Sequence, residues 1–157
     1  MTTRILFVCL GNICRSPLAE AAFRAEAERL GFDAEADSAG TGGWHAGEPP
    51  DPRAIAAARR NGVDISHLRA RQLLAEDFER FDHVVALDGE NLADLATLRP
   101  AGSRASLSLL LDHAPGRGGE AVADPYYGGE SHFDVTWRDV TAGACGLAAA
   151  LLEGGPR

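Results

Sequence analysis

Residues 8–17 read VCLGNICRSP, and the fold turns on them. They close a short apolar run, RILFV at 4–8, and lead through Gly11 and Asn12 to Pro17 and the helix-forming run PLAEAAFRAEAERL at 17–30. A run of this length, rich in β-branched and aromatic residues, reads as a buried strand. Proline suits the first turn of a helix, so 9–16 is predicted to be the loop of a strand–loop–helix junction. In the helix Leu18, Ala19, Ala22, Phe23 and Leu30 make an apolar stripe, and Glu20, Arg24 and Glu28 a polar row at i, i+4, i+8. Gly31 ends it.

The same alternation continues along the chain. Strands are predicted at 34–38 (AEADS), 82–87 (DHVVAL) and 104–111 (RASLSLLL). Between them lie the Gly- and Pro-rich loop 39–52, a helix from Pro52 to Arg60, a short helix in LLAEDFERF (73–81) and another in GENLADLATL (89–98). A long loop, 113–131, leads to a last helix on which Phe133, Trp137, Val140, Ala144, Leu147 and Leu151 share one face. Ser131 with Asp134 resembles a capping box at its start. Strands alternating with helices predict an α/β fold, a four-stranded parallel sheet flanked by helices on both faces. The 157 residues suit a single domain, 1–157, with a flexible tail at about 153–157.

Composition narrows the function. The chain is 45% hydrophobic and 24% charged, as in ordinary soluble proteins. No run approaches the ~20 apolar residues of a membrane span, and the first residues, MTTRILFVCLGN, lack a signal peptide's long apolar stretch and cleavage site. Three cysteines, an odd number, argue against a secreted disulfide framework. A cytoplasmic protein is expected. The net charge of −8 disfavours nucleic acid and an anionic membrane as partners. All 15 basic residues are arginine. That excludes the lysine of a P-loop NTPase, a Schiff-base enzyme and a lysine base.

In parallel sheets ligands bind at the carboxyl ends of strands. The loop Leu10, Gly11, Asn12, Ile13, Cys14 stands there, with backbone N–H groups and a helix N-terminus to attract an anion. Arg15 adds a bidentate fork suited to an oxyanion. Cys9, at the strand end, faces the same cradle, and surroundings that hold an anion also favour a thiolate. A thiolate beside an oxyanion site is a nucleophile aimed at phosphorus. Zinc would need about four ligands, and Cys9 and Cys14 have no second pair; a flavin loop would need neither cysteine nor arginine. The leaving oxygen would need a proton. Asp124, in ADPYYGG (123–129), is a candidate donor, although Asp-Pro is also an ordinary turn; Tyr126 and Tyr127 would wall a cleft.

VCLGNICRSPLAEAAF, DSAGTGGWHAGEPPDPRA and DPYYGG together resemble the low-molecular-weight protein tyrosine phosphatases, nearly end to end. The resemblance implies hydrolysis of phosphotyrosine and aryl phosphates through a phosphocysteine on Cys9. It implies that Arg15 binds the phosphoryl oxygens, that Ser16 donates its hydroxyl to the Cys9 sulfur, and that Asn12 holds a left-handed turn. Asp124 would be the acid and then the base. Trp44 and Tyr126 would set the depth of the cleft, and Asp88 would lie near it or cap the helix that follows. No metal or other cofactor is implied; the partner would be a phosphotyrosine protein or aryl phosphate, with a tyrosine kinase as counterpart.

Several positions stay open. HLRAR at 67–71 is one residue longer than the family's His-x-Ala-Arg, so His67 either joins the asparagine network or packs at the surface. Cys14 is either filler in the loop wall or a redox partner that closes a disulfide on oxidised Cys9. Cys145 is expected in the core, and His45, His83, His113 and His132 at the surface or in loops. The rivals are an arsenate reductase of the same fold, which would need an extra cysteine pair that 82–98 lacks, and a non-catalytic phosphate-binding module, which could dispense with Cys9 or Asp124.

Overall fold

A computed structural model describes residues 2–153. The four strands are β1 (Thr3–Cys9), β2 (Ala34–Gly40), β3 (His83–Ala86) and β4 (Ser106–Leu109). They form one sheet in the order β2-β1-β3-β4, and every pairing is parallel. The helices are α1 (Arg15–Leu30), α2 (Pro52–Arg60), α3 (Asp77–Arg80), α4 (Gly89–Leu98) and α5 (Glu130–Leu152).

β1 is one of the two inner strands, and its residues from Ile5 to Cys9 are all buried. Ile5 and Phe7 point to one face, where they join Leu18 and Phe23 of α1 and Phe133, Val140, Ala144 and Leu147 of α5. Leu6 and Val8 point to the other, packing with Phe78 of α3 and Leu95 of α4. The continuous apolar run is thus a strand covered on both faces. Because β2 and β3 lie on opposite sides of β1, successive crossovers leave a crevice at its carboxyl end. Ligands of open parallel sheets bind at such a switch point.

The departures from the sequence-based expectation have physical causes. The fourth strand stops at Leu109, and Leu110–His113 turn into a 3-10 helix. That turn lets both Leu110 and Leu111 be fully buried on the α5 side of the molecule, where Gly143 leaves room for Leu110. The helix in 73–81 shrinks to four residues. Its predicted first turn is drawn out instead, because Leu73 N–H donates to Gly40 O and Gln72 pairs with Gly40. The capping box at Ser131 does not form: α5 starts at Glu130 behind Gly129, with no side-chain cap, and Asp134 pairs with Arg60 at 2.6 Å. Glu20 is not part of a solvated row; it is buried against Ser38. Cys145 is only half-buried, on the side of α5 facing Glu26. Of the predicted tail, 154–157 lie outside the described residues.

Candidate active site

Residues 9–16 leave β1 and enter α1 as a tight loop at the switch point. The loop carbonyls are tied outward: Thr41 N–H donates to Cys9 O at 2.9 Å, Gly42 N–H to Leu10 O at 2.9 Å and Asp51 N–H to Ile13 O at 2.8 Å. In a planar trans peptide the C=O and the next N–H point in opposite directions. The N–H groups of Leu10, Gly11 and Cys14 are therefore turned to the inside. Gly40 permits this fit, since a Cβ there would stand 2.7 Å from Leu10 O.

Asn12 is the single non-glycine residue with positive φ, 59°, among the described residues. Its side chain secures that conformation. Nδ2 donates to Ser16 Oγ at 2.8 Å and to Ser38 Oγ at 3.0 Å, and Oδ1 accepts from Arg71 N–H at 2.9 Å. Ser38 Oγ donates to Glu20 Oε1 at 2.8 Å, and Arg24 holds the other carboxylate oxygen. At the near end of this network Ser16 Oγ lies 3.0 Å from Cys9 Sγ. Of the two readings of His67 the surface one holds: it is exposed and lines a groove beside α1, and Arg24 partners the carboxylate. Burial raises the Glu20 pKa against the opposing bonds from Ser38 and Arg24.

Arg15, 4% exposed, lies across the cradle. It donates to Asp88 Oδ2 at 2.6 Å and to Val122 O at 3.0 Å, and stands 3.7 Å from Asp124 Oδ2. Burial opposes its charge, but Cys9, Asp88 and Asp124 more than offset this and hold its pKa above the ordinary value. Both readings of Asp88 hold at once, because its other oxygen accepts from Asn91 N–H and caps α4. Asp124 is likewise divided: Oδ1 accepts from Tyr126 N–H in the turn, while Oδ2 faces Arg15.

Cys9, Leu10, Gly11, Ile13, Cys14, Arg15, Trp44, His45, Asp124, Tyr126 and Tyr127 line one cleft of about 240 Å³. Trp44 is 70% exposed and Tyr127 95%, so they form the rim rather than the depth of the wall. Trp44 folds back over Gly42, where a Cβ would meet its ring at 1.7 Å. His45 is a site residue that the sequence reading left at the surface. Its ring lies against Gly11, and Nδ1 is 3.2 Å from Glu48 Oε1. The signal available was its place next to Trp44.

Cys14 is a buried free thiol in the wall of the cleft. Burial, and then Asp51 and Cys9, push its pKa far above the ordinary range, so it stays protonated. Among the described residues no group of three His, Cys, Asp or Glu side chains is placed to hold a metal ion, and no helix is long and apolar enough to cross a membrane. A sulfur at the floor of an anion cradle, with a carboxylate at its mouth, suits attack on phosphorus with proton delivery to the departing oxygen.

Comparison with known proteins gives the same direction. The family model described as low molecular weight phosphotyrosine protein phosphatase matches residues 4–155. The chain is 49% identical over 158 residues to a low molecular weight protein-tyrosine-phosphatase of Streptomyces coelicolor, covering 98% of this chain and 96% of the relative. It is 47% identical over 133 residues to a low molecular weight phosphotyrosine protein phosphatase of Schizosaccharomyces pombe, covering 83% and 85% of the two chains. The crystal structure of YfkJ from Bacillus subtilis superimposes with a TM-score of 0.91 at 36% identity, covering 99% of this chain and 98% of that one.

Proposed function

The chain belongs to the low molecular weight phosphotyrosine protein phosphatase family, and from that premise we propose how its own residues divide the work. The family's reaction is hydrolysis of phosphotyrosine through a phosphocysteine. Cys9 is the nucleophile in this chain. The phosphoryl group sits on the inward N–H groups of the loop and on the guanidinium fork of Arg15, which Asp88 holds in place. The Cys9 sulfur attacks phosphorus and the bond to the tyrosyl oxygen breaks. Asp124 protonates that oxygen as it leaves. Asp124, now a carboxylate, takes a proton from water; the oxygen of that water attacks phosphorus, and Cys9 departs as a thiolate. The Ser16 hydroxyl, held by Asn12, is donor to that sulfur in both steps.

The observation that carries this division is the meeting at Arg15. It brings Asp124, from a loop more than a hundred positions away in sequence, into the cleft that Cys9 floors. Trp44 and Tyr126 flank the entrance as an apolar slot for an aryl group. The substrates are phosphotyrosine proteins in the cytoplasm, with a tyrosine kinase as counterpart; Cys14 is a redox partner of Cys9.

The test is turnover of phosphotyrosine peptide and of p-nitrophenyl phosphate. Cys9→Ser should abolish both while still binding inorganic phosphate. Asp124→Asn should cost roughly 10²–10⁴-fold on the peptide and less on p-nitrophenyl phosphate, whose leaving group needs the proton less. Near-full activity of Cys9→Ser would remove the nucleophile assignment. An equal loss on both substrates in Asp124→Asn would remove the acid.

A further inference from the structure

The acid has to be held at a set distance from the phosphate cradle, yet the two lie on separate segments. We propose that the Asp51–Arg53 pair is a positioning clamp joining them; the proposal rests on Asp124 being the proton donor. One end of the clamp grips the cradle through the bond from Asp51 N–H to Ile13 O, 2.8 Å. The Asp51 carboxylate caps α2 by accepting from Arg53 N–H at 2.8 Å, and it takes both sides of the Arg53 fork, Nε at 3.0 Å and Nη2 at 2.9 Å. The other end grips the acid loop. Arg53 Nη1 donates to Gly128 O at 2.8 Å and Nη2 to Tyr126 O at 2.9 Å.

The guanidinium also lies against two aromatic rings. Its Cζ lies 4.6 Å from the centre of the Phe133 ring and 5.8 Å from that of Tyr126. Phe133 is fully buried in the first turn of α5, so the stack has a rigid base. Four directed bonds in one plane and two aromatic contacts match a planar fork and not an ammonium. Between Val122, which Arg15 and Leu87 secure, and the start of α5, the side chain that bonds the backbone of the acid loop from another segment is that of Arg53. Tyr126 N–H closes the link, since it donates to Asp124 Oδ1. Arg53 is not among the residues that line the cleft; it acts through the backbone that aims Asp124.

The experiment compares Arg53→Met, Arg53→Lys, Asp124→Asn and the double variant Arg53→Met/Asp124→Asn, with kcat and KM measured for phenyl phosphate and p-nitrophenyl phosphate. Arg53→Met should lower kcat on phenyl phosphate by about 10²-fold, the scale of a small misplacement of a catalytic group. The loss should be smaller on p-nitrophenyl phosphate, and KM should change little. Arg53→Lys should recover part of it. In the Asp124→Asn background, adding Arg53→Met should change kcat by no more than about twofold, as for two residues acting through one step. A full loss persisting in that background, or an equal loss on both substrates, overturns the clamp while leaving Asp124 as the acid. If Asp124→Asn alone shows no leaving-group dependence, the acid assignment fails and the clamp fails with it. Should Arg53→Met not fold, as judged by circular dichroism, Arg53→Lys carries the same comparison with smaller losses.

Discussion

Replacing Asn12 separates two things that this residue does: it occupies a left-handed backbone position and it joins four segments through its side chain. Asn12→Ala removes the bonds to Ser16, Ser38 and Arg71 N–H, all in a site where Asn12 is 4% exposed. At about 1 kcal/mol net for each bond, that is about 3 kcal/mol. An alanine at φ 59° adds about 1 kcal/mol of backbone strain. The expected loss is therefore about 4 kcal/mol, a large share of the 5–15 kcal/mol typical of a domain. Asn12→Gly loses the same bonds without the strain and should fall short by about 3 kcal/mol. Urea unfolding measures both, provided the slopes match that of the parent. The catalytic readout is separate: in both variants Ser16 Oγ loses the partner that orients it toward Cys9, so kcat should drop equally in the two. Losses under about 1 kcal/mol in both, with kcat unchanged, would show that the polar network is not what shapes the cradle.

Other substitutions probe other links. Gly146→Ala places a Cβ 1.8 Å from His113 O, a backbone atom, so α5 must shift from the 3-10 turn; thermal or urea unfolding should show a cost of about 1–3 kcal/mol or more. Glu20 has a raised pKa in the folded protein, so folding takes up a proton that the unfolded chain releases. Its contribution to stability is full below its ordinary value of 4.5 and is lost as pH rises through the raised one. Glu20→Gln should flatten that part of the stability–pH curve, and an unchanged curve would remove Glu20 as its source. Brief peroxide treatment should oxidise Cys9 to the sulfenic acid, which condenses with the Cys14 thiol to a disulfide and water. Dithiothreitol should then restore activity. Because Cys14 is held protonated, disulfide closure should speed up as pH rises, measured by peptide mapping at timed quench; equal recovery of Cys14→Ala would leave Cys14 as packing only.

What could be read without coordinates is what local chemistry determines. The apolar run before Cys9, the Gly-Asn turn and Pro17 mark a strand–loop–helix junction by their own preferences, and the alternation of strands and helices then implies a parallel sheet. The structure keeps all of this, with β1 running one residue further at each end than predicted. Cys9, Arg15 and Ser16 were legible because they are neighbours in sequence as well as in space. From ADPYYGG alone Asp124 reads equally as a turn residue or a proton donor; its carboxylate accepts from Tyr126 N–H in the turn and also faces Arg15.

The misses are residues whose role depends on a contact that no local pattern announces. Glu20 sits in an i, i+4, i+8 row that reads as solvent-facing, yet Ser38 of β2 closes over it. Ser131 has the spacing of a helix cap, but Asp134 pairs instead with Arg60, from another helix. Arg53 carries no signal at all in PPDPRA beyond a helix start. Its importance appears only when four acceptors from two loops converge on one guanidinium. A chain whose cations are all arginine has many such forks to place. The physical test of which ones matter is geometric: Arg15 and Arg53 each tie separate segments near the cleft, whereas Arg29, largely exposed, meets Glu26 on its own helix and joins nothing else among the described residues.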